Sequence, residues 1–122
     1  MEQEEQLTRV FAALADPTRR DVVRRLASAD ATLTDLASAY DVSVQAVAKH
    51  LKVLEEAGLV RRTREAQRRP ATLNAEVLDL MTAWVERRRR EVEERYQRLD
   101  AVLDRMAQDE EPSRRRQEGT AS

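Results

Sequence analysis

Between Ser43 and Gly58 the chain strings together side chains that can read or grip a polyanion: Gln45, Lys49, His50 and Lys52, with no acid until Glu55 and Glu56. Glutamine can bond the edge of adenine and lysine that of guanine through a major groove. Val44 has the size and apolarity to touch a thymine methyl. Just downstream, Arg61, Arg62, Arg64, Arg68 and Arg69 face a single acid, Glu65. Arginines in such a cluster suit phosphate contacts, which supply affinity and fix register while base contacts specify.

Other chemistries find little here. The 122 residues contain no cysteine and one histidine, so disulfides, thiolate metal sites and thiol redox chemistry are excluded, and no triad can be built around His50. No G-x-S-x-G and no phosphate loop occurs, and the acids form no catalytic pair. The sequence therefore predicts no enzyme, no metal and no cofactor. Net charge is −1, but Ser43 to Asn74 carries seven basic and three acidic residues. A local excess of this kind steers a polyanion even on a near-neutral protein. No apolar run reaches the length of a membrane span and no signal peptide opens the chain, so a cytoplasmic location without membrane contact is expected.

The elements that must position these residues follow from periodicity and punctuation. High charge, few aromatics and two glycines favour helices over sheet. A first helix is expected over 4–15, with Leu7, Val10, Phe11 and Leu14 on one side. Asp16-Pro17 marks the next start, aspartate as N-cap and proline at the first helical position. That helix runs to about Ala27 with Val22, Val23 and Leu26 inward. Thr32 to Thr34 opens a short helix holding Leu36, Ala37 and Tyr40. Ser43 caps a fourth helix whose buried stripe is Val47, Leu51 and Leu54, ending at Gly58. Two helices joined by such a turn form a helix-turn-helix. Leu59 to Arg64 and Arg69 to Asn74 are expected to pair as a basic hairpin, or wing.

From residue 76 to about 107 one long helix is expected, with Val85, Val92, Tyr96, Leu99, Leu103 and Met106 as a coiled-coil-like seam interrupted at Arg89. Its simplest partner is a second copy of the chain. Arg87 to Arg90 read as a solvated face offset by Glu91, Glu93 and Glu94. The expected organisation is a winged helix-turn-helix over 1–75, a dimerisation helix over 76–107 and a disordered tail over 108–122. The fold class is mainly α with a small β-hairpin.

With these elements in order, the chain resembles winged-helix repressors of the arsenic-repressor (ArsR) type, over about residues 7 to 105. The residues that carry the resemblance are Phe11-Ala-Ala-Leu-Ala-Asp-Pro-Thr-Arg-Arg20, Leu36-Ala37, Val47-Ala-Lys-His-Leu-Lys-Val-Leu54 and Glu56-Ala-Gly-Leu-Val60. The resemblance implies a homodimeric repressor that places 43–52 in a major groove and its wing on the flanking backbone of an operator. Metal-sensing members carry a cysteine motif where this chain has Thr34-Asp-Leu-Ala-Ser-Ala-Tyr40, or histidines on the dimer helix, which here has none. The Trp84-Val-Glu helix with its arginine-rich continuation is similar to the branch that lacks metal sites. Ala48 stands where the family usually has serine, Arg88 and Val92 where aromatics are common, and the wing tip Ala66-Gln67 lacks the common glycine.

The expected DNA-binding residues are thus Ser43, Val44, Gln45, Lys49, His50, Lys52, Arg62, Arg64, Arg68 and Arg69. The expected dimer residues are Leu7, Val10, Phe11, Trp84, Val85, Val92, Tyr96, Leu99 and Leu103. A winged-helix protein-interaction module is one alternative. Another is a repressor released by a small molecule near Phe11 and Trp84. The sequence names no effector.

Overall fold

The computed structural model describes residues 2–63 and 69–120, with side chains as far as Asp109. The order of elements is α1 (Glu2–Leu14), α2 (Pro17–Ser28), α3 (Leu33–Ala37), α4 (Val44–Glu56), β1 (Val60–Arg62), β2 (Ala71–Leu73) and α5 (Ala75–Thr120). The chain divides into two units, Met1–Thr82 and Ala83–Ser122. Among the described residues no helix is long and apolar enough to cross a membrane.

In the first unit each helix is started by the side chain its sequence offers. The Asp16 carboxylate accepts from the backbone N–H of Thr18 at 2.8 Å and of Arg19 at 3.1 Å, with Pro17 opening α2. Thr32 and Asp35 form a reciprocal capping box on α3. The Ser43 hydroxyl accepts from Ala46 N–H at 3.1 Å and starts α4. That helix stops in a Schellman motif: Leu59 N–H donates to Leu54 O at 3.0 Å and Gly58 N–H to Glu55 O at 2.9 Å. Gly58 holds φ +83°, a left-handed conformation that strains any residue with a Cβ.

The core gathers Val10, Val22, Leu26, Leu36, Val47, Leu51, Leu54 and Leu59, all buried. It joins α1–α4 to the hairpin, so the exposed face of α4 is held by its own buried stripe. Each fully buried leucine contributes roughly 2 kcal/mol of transfer free energy. Strands β1 and β2 pair antiparallel in the register Val60↔Leu73, Arg61↔Thr72, Arg62↔Ala71. Ala31 adds a bridge to Ala71 through two backbone bonds of 3.3 and 2.7 Å.

The strands are shorter than their expected ranges, for local reasons. Leu59 gives its N–H to closing α4 and keeps only its carbonyl for the hairpin, accepting from Asn74 N–H at 2.8 Å, and Pro70, which has no N–H, limits the ladder beyond the Thr63 N–H bond to Pro70 O. Asn74 turns to serve as a cap, accepting from Glu76 N–H at 3.2 Å while its amide donates to Gly58 O at 3.1 Å. Tyr40 lies beyond the end of α3 rather than within it. The first unit extends to Thr82 instead of ending at 75, because Val77 is buried in the core and Leu78 and Met81 pack against it. The backbone is helical to Thr120, where composition predicts a disordered tail from 108.

Candidate nucleic-acid interface

Residue types alone make all the cations of this chain look alike; geometry sorts them. Each α2 arginine has a bonded partner in its own chain, Arg19 half-buried and Arg20, Arg24 and Arg25 at the surface. Arg19 donates through Nε to Ala13 O at 2.6 Å and through Nη2 to Ala12 O at 3.3 Å, satisfying carbonyls at the end of α1. Arg20 does the same for Leu14 O at 2.7 Å. Arg24 and Arg25 hold the two oxygens of Asp21 at 2.6 and 2.9 Å, and the Tyr40 hydroxyl donates to the same carboxylate at 2.6 Å. The Tyr40 hydroxyl, followed by the two guanidiniums, holds the Asp21 carboxyl far below the usual carboxylate range. Desolvation, with Asp21 second, pushes the Tyr40 phenol up. The Arg19 backbone N–H is the largest of the influences that lower Asp16.

The cations of α4 stand apart. Gln45, Lys49 and Lys52 are exposed, and none has a hydrogen bond or ion pair among the described residues. They share the solvent face opposite Val47, Leu51 and Leu54, as the 3.6-residue period requires. Val44 is 47% exposed at the first turn. Ser43 is exposed too, though its oxygen already accepts the capping bond. His50 is half-buried beside α2. Its Nδ1 lies 3.4 Å from Arg19 Nη1. A guanidinium can only donate, so Nδ1 accepts and the ring proton sits on Nε2.

The hairpin divides its arginines by strand alternation. Val60 is buried, Arg61 points to solvent and Arg62 turns back. Arg62 Nε lies 3.5 Å from Glu55 Oε1, and these two buried atoms face each other without a well-directed hydrogen bond. Arg62, expected on phosphate, is therefore committed to tying β1 to the last turn of α4. Arg61, absent from the expected contacts, takes the outward place. The signal that could have found it was the period of two counted from buried Val60. Arg69, two residues before β2, is exposed. Arg64 and Arg68 lie outside the described residues.

The expected dimer residues separate in the same way. Val10 is fully buried in the core of its own chain, because it lies on the α1 face packed toward α2 and α4, and has no surface left for a partner. Leu7 is half-buried and Phe11 is 38% exposed. In the second unit Trp84, Val85, Val92, Tyr96, Leu99 and Leu103 are all exposed. Two arginines beside them are matched along the helix, Arg88 with Glu91 at 3.5 Å and Arg89 with Glu86 at 3.6 Å and Glu93 at 3.5 Å. Among the described residues no group of three or more histidines or acids can hold a metal ion.

A helix-turn-helix domain family matches residues 14–63, from the end of α1 to just past β1. The transcriptional repressor SdpR of Bacillus subtilis (strain 168) is 32% identical, over 65% of this chain and 88% of that protein. An ArsR-like transcriptional regulator from Rhodococcus sp. RHA1 superposes with a TM-score of 0.75 at 30% identity, covering 84% of this chain and 96% of that one. A homodimeric winged helix-turn-helix DNA-binding domain from Mycobacterium bovis, a possible ArsR-family regulator, superposes with a TM-score of 0.58 at 27% identity, over 71% of this chain and 81% of that one. With this likeness over nearly the full length of such relatives, on a helix-turn-helix followed by a wing, the chain belongs to the ArsR family of winged-helix transcriptional regulators.

Proposed function

We propose that this protein is a dimeric repressor that binds a two-fold DNA operator without a metal effector. The observation that carries the reading is the set of unengaged groups on α4, Gln45, Lys49 and Lys52, beside outward Arg61. The α2 arginines, which have the same charge, already have partners in their own chain. On this reading α4 enters the major groove, Gln45 and Lys49 reach base edges, and Lys52, Arg61 and Arg69 meet phosphates. His50, with its proton on Nε2, adds a donor for the same backbone. Names given to relatives support repression and dimerisation, and the exposed stripe of the second unit supplies the surface for the latter. The absence of cysteine, and of histidine from the long helix, supports release by something other than a metal.

The test is selection of bound fragments from random duplex DNA, then anisotropy titration of the enriched sequence across a salt series. The expected result is an inverted repeat with half-sites about one helical turn, or a multiple of it, apart. Its affinity falls steeply with salt as counterions are released. Failure to enrich any sequence counts against operator recognition.

A further inference from the structure

The stripe of the second unit has an unbroken rhythm and one discordant residue. Val85, Arg89, Val92, Tyr96, Leu99, Leu103 and Met106 follow one another at steps of four and three. Arg89 thus occupies a seam position, not a flank. The six apolar members are each about half exposed, from Val85 at 46% to Tyr96 at 61%. The unit is a single helix, so nothing within it covers them. Between Trp84 and Met106 there are seven basic and six acidic residues. A surface so nearly balanced, with both signs interspersed, can meet an identical copy of itself without net repulsion.

Arg89 is prepared for burial in that setting. Its Nη1 faces Glu86 Oε1 at 3.6 Å and its Nη2 faces Glu93 Oε1 at 3.5 Å. Both ends of the guanidinium are matched by carboxylates one turn before and one turn after, on the same helix. Neutralisation is therefore in place before a partner arrives. An unmatched charge on the seam is costly to desolvate, whereas a leucine there permits tighter packing. A single polar residue on a seam is also the device by which helical assemblies fix register and number of copies, at a cost in stability.

We infer that Arg89, with Glu86 and Glu93, is the specificity element of the self-association seam: it weakens the pairing of two copies and restricts the assembly to one dimer. This rests on the dimeric reading above, with the second copy of this chain as the occupant of the stripe. The experiment is sedimentation velocity on the full chain over a range of concentrations, with helix content followed by circular dichroism. The wild type is expected to sediment as one dimeric species. Arg89→Leu lowers the dissociation constant by about tenfold or more and brings in species larger than a dimer. The double variant Glu86→Gln/Glu93→Gln keeps the arginine and removes its partners, raising the constant by about tenfold. These opposite signs are not produced by a residue that only supports the helix. A dimeric Arg89→Leu with an unchanged or raised constant overturns the inference and leaves the dimer reading standing. A monomeric wild type overturns both.

Discussion

Arg19, Arg20, Arg24 and Arg25 on α2 and Lys49, Lys52, Arg61 and Arg69 on α4 and the wing carry the same charge, yet their surroundings differ throughout. The α2 group satisfies carbonyls at the end of α1 or holds Asp21 against Tyr40. The α4 and wing group has no partner among the described residues. A cation already bonded within its own chain must lose that bond to grip a phosphate, while a solvated one gives up only water and counterions. In a chain with 20 arginines and two lysines, abundance therefore says little about where a ligand binds. Engagement says much more, and Arg62, one residue from Arg61, shows how finely the division runs.

Substitutions can break or sharpen this contrast. The largest effect is expected from Arg19→Ala, which strips partners from Ala12 O, Ala13 O and His50 together. Unfolding free energy should drop by roughly 2–3 kcal/mol, read by chemical denaturation. A drop under half a kcal/mol would erase the claim that α2 uses its arginines structurally. Lys49→Ala should do the reverse. Thermal stability stays within a degree or two, while operator binding weakens by roughly 1–3 kcal/mol and non-specific binding falls less, measured by anisotropy on both duplexes. Equal losses on the two DNAs would remove Lys49 from the reading face.

The adjacent pair on β1 offers a finer comparison. Arg61→Ala should lower the slope of log affinity against log salt by about 1 with little change in stability. Arg62→Ala should leave that slope alone and cost about 1 kcal/mol or less of folding free energy, because its Glu55 pair is partly exposed. A slope change of similar size from both would show that strand alternation does not sort them. The smallest effect concerns acid. The Asp21 carboxyl titrates far below its unfolded value, so its contribution to stability is present above about pH 4 and is lost progressively as pH falls below that. Asp21→Asn should therefore be less stable than the wild type at pH 7, and the gap should narrow in denaturation curves run down to pH 3. A gap that stays constant over this range would exclude the Tyr40–Asp21 bond as its source.

Helix starts were legible because their chemistry is local. Asp16 before Pro17, Thr32 and Ser43 each cap the helix that follows. Gly58 was readable as the end of α4 for the same reason, since only a residue without a Cβ takes that backbone easily. The buried stripe of α4 and its polar face followed from one period, so Gln45, Lys49 and Lys52 could be named in advance. The sequence by itself thus determined the order and type of the elements as far as residue 107, the helix-turn-helix and the face of α4 that looks outward.

Tertiary structure decided everything that depends on a neighbour distant in sequence. Val10 and Phe11 are adjacent apolar residues on one helix, and only packing against α2 and α4 sends the first into the core and leaves the second at the surface. Arg62 becomes structural because the hairpin returns it to Glu55, and His50 has its proton on Nε2 because Arg19, from another helix, donates to Nδ1. The core claims α5 through Thr82 because Val77 meets residues far upstream of it. Periodicity states which side of an element a residue occupies, but only the three-dimensional fold states what waits on that side.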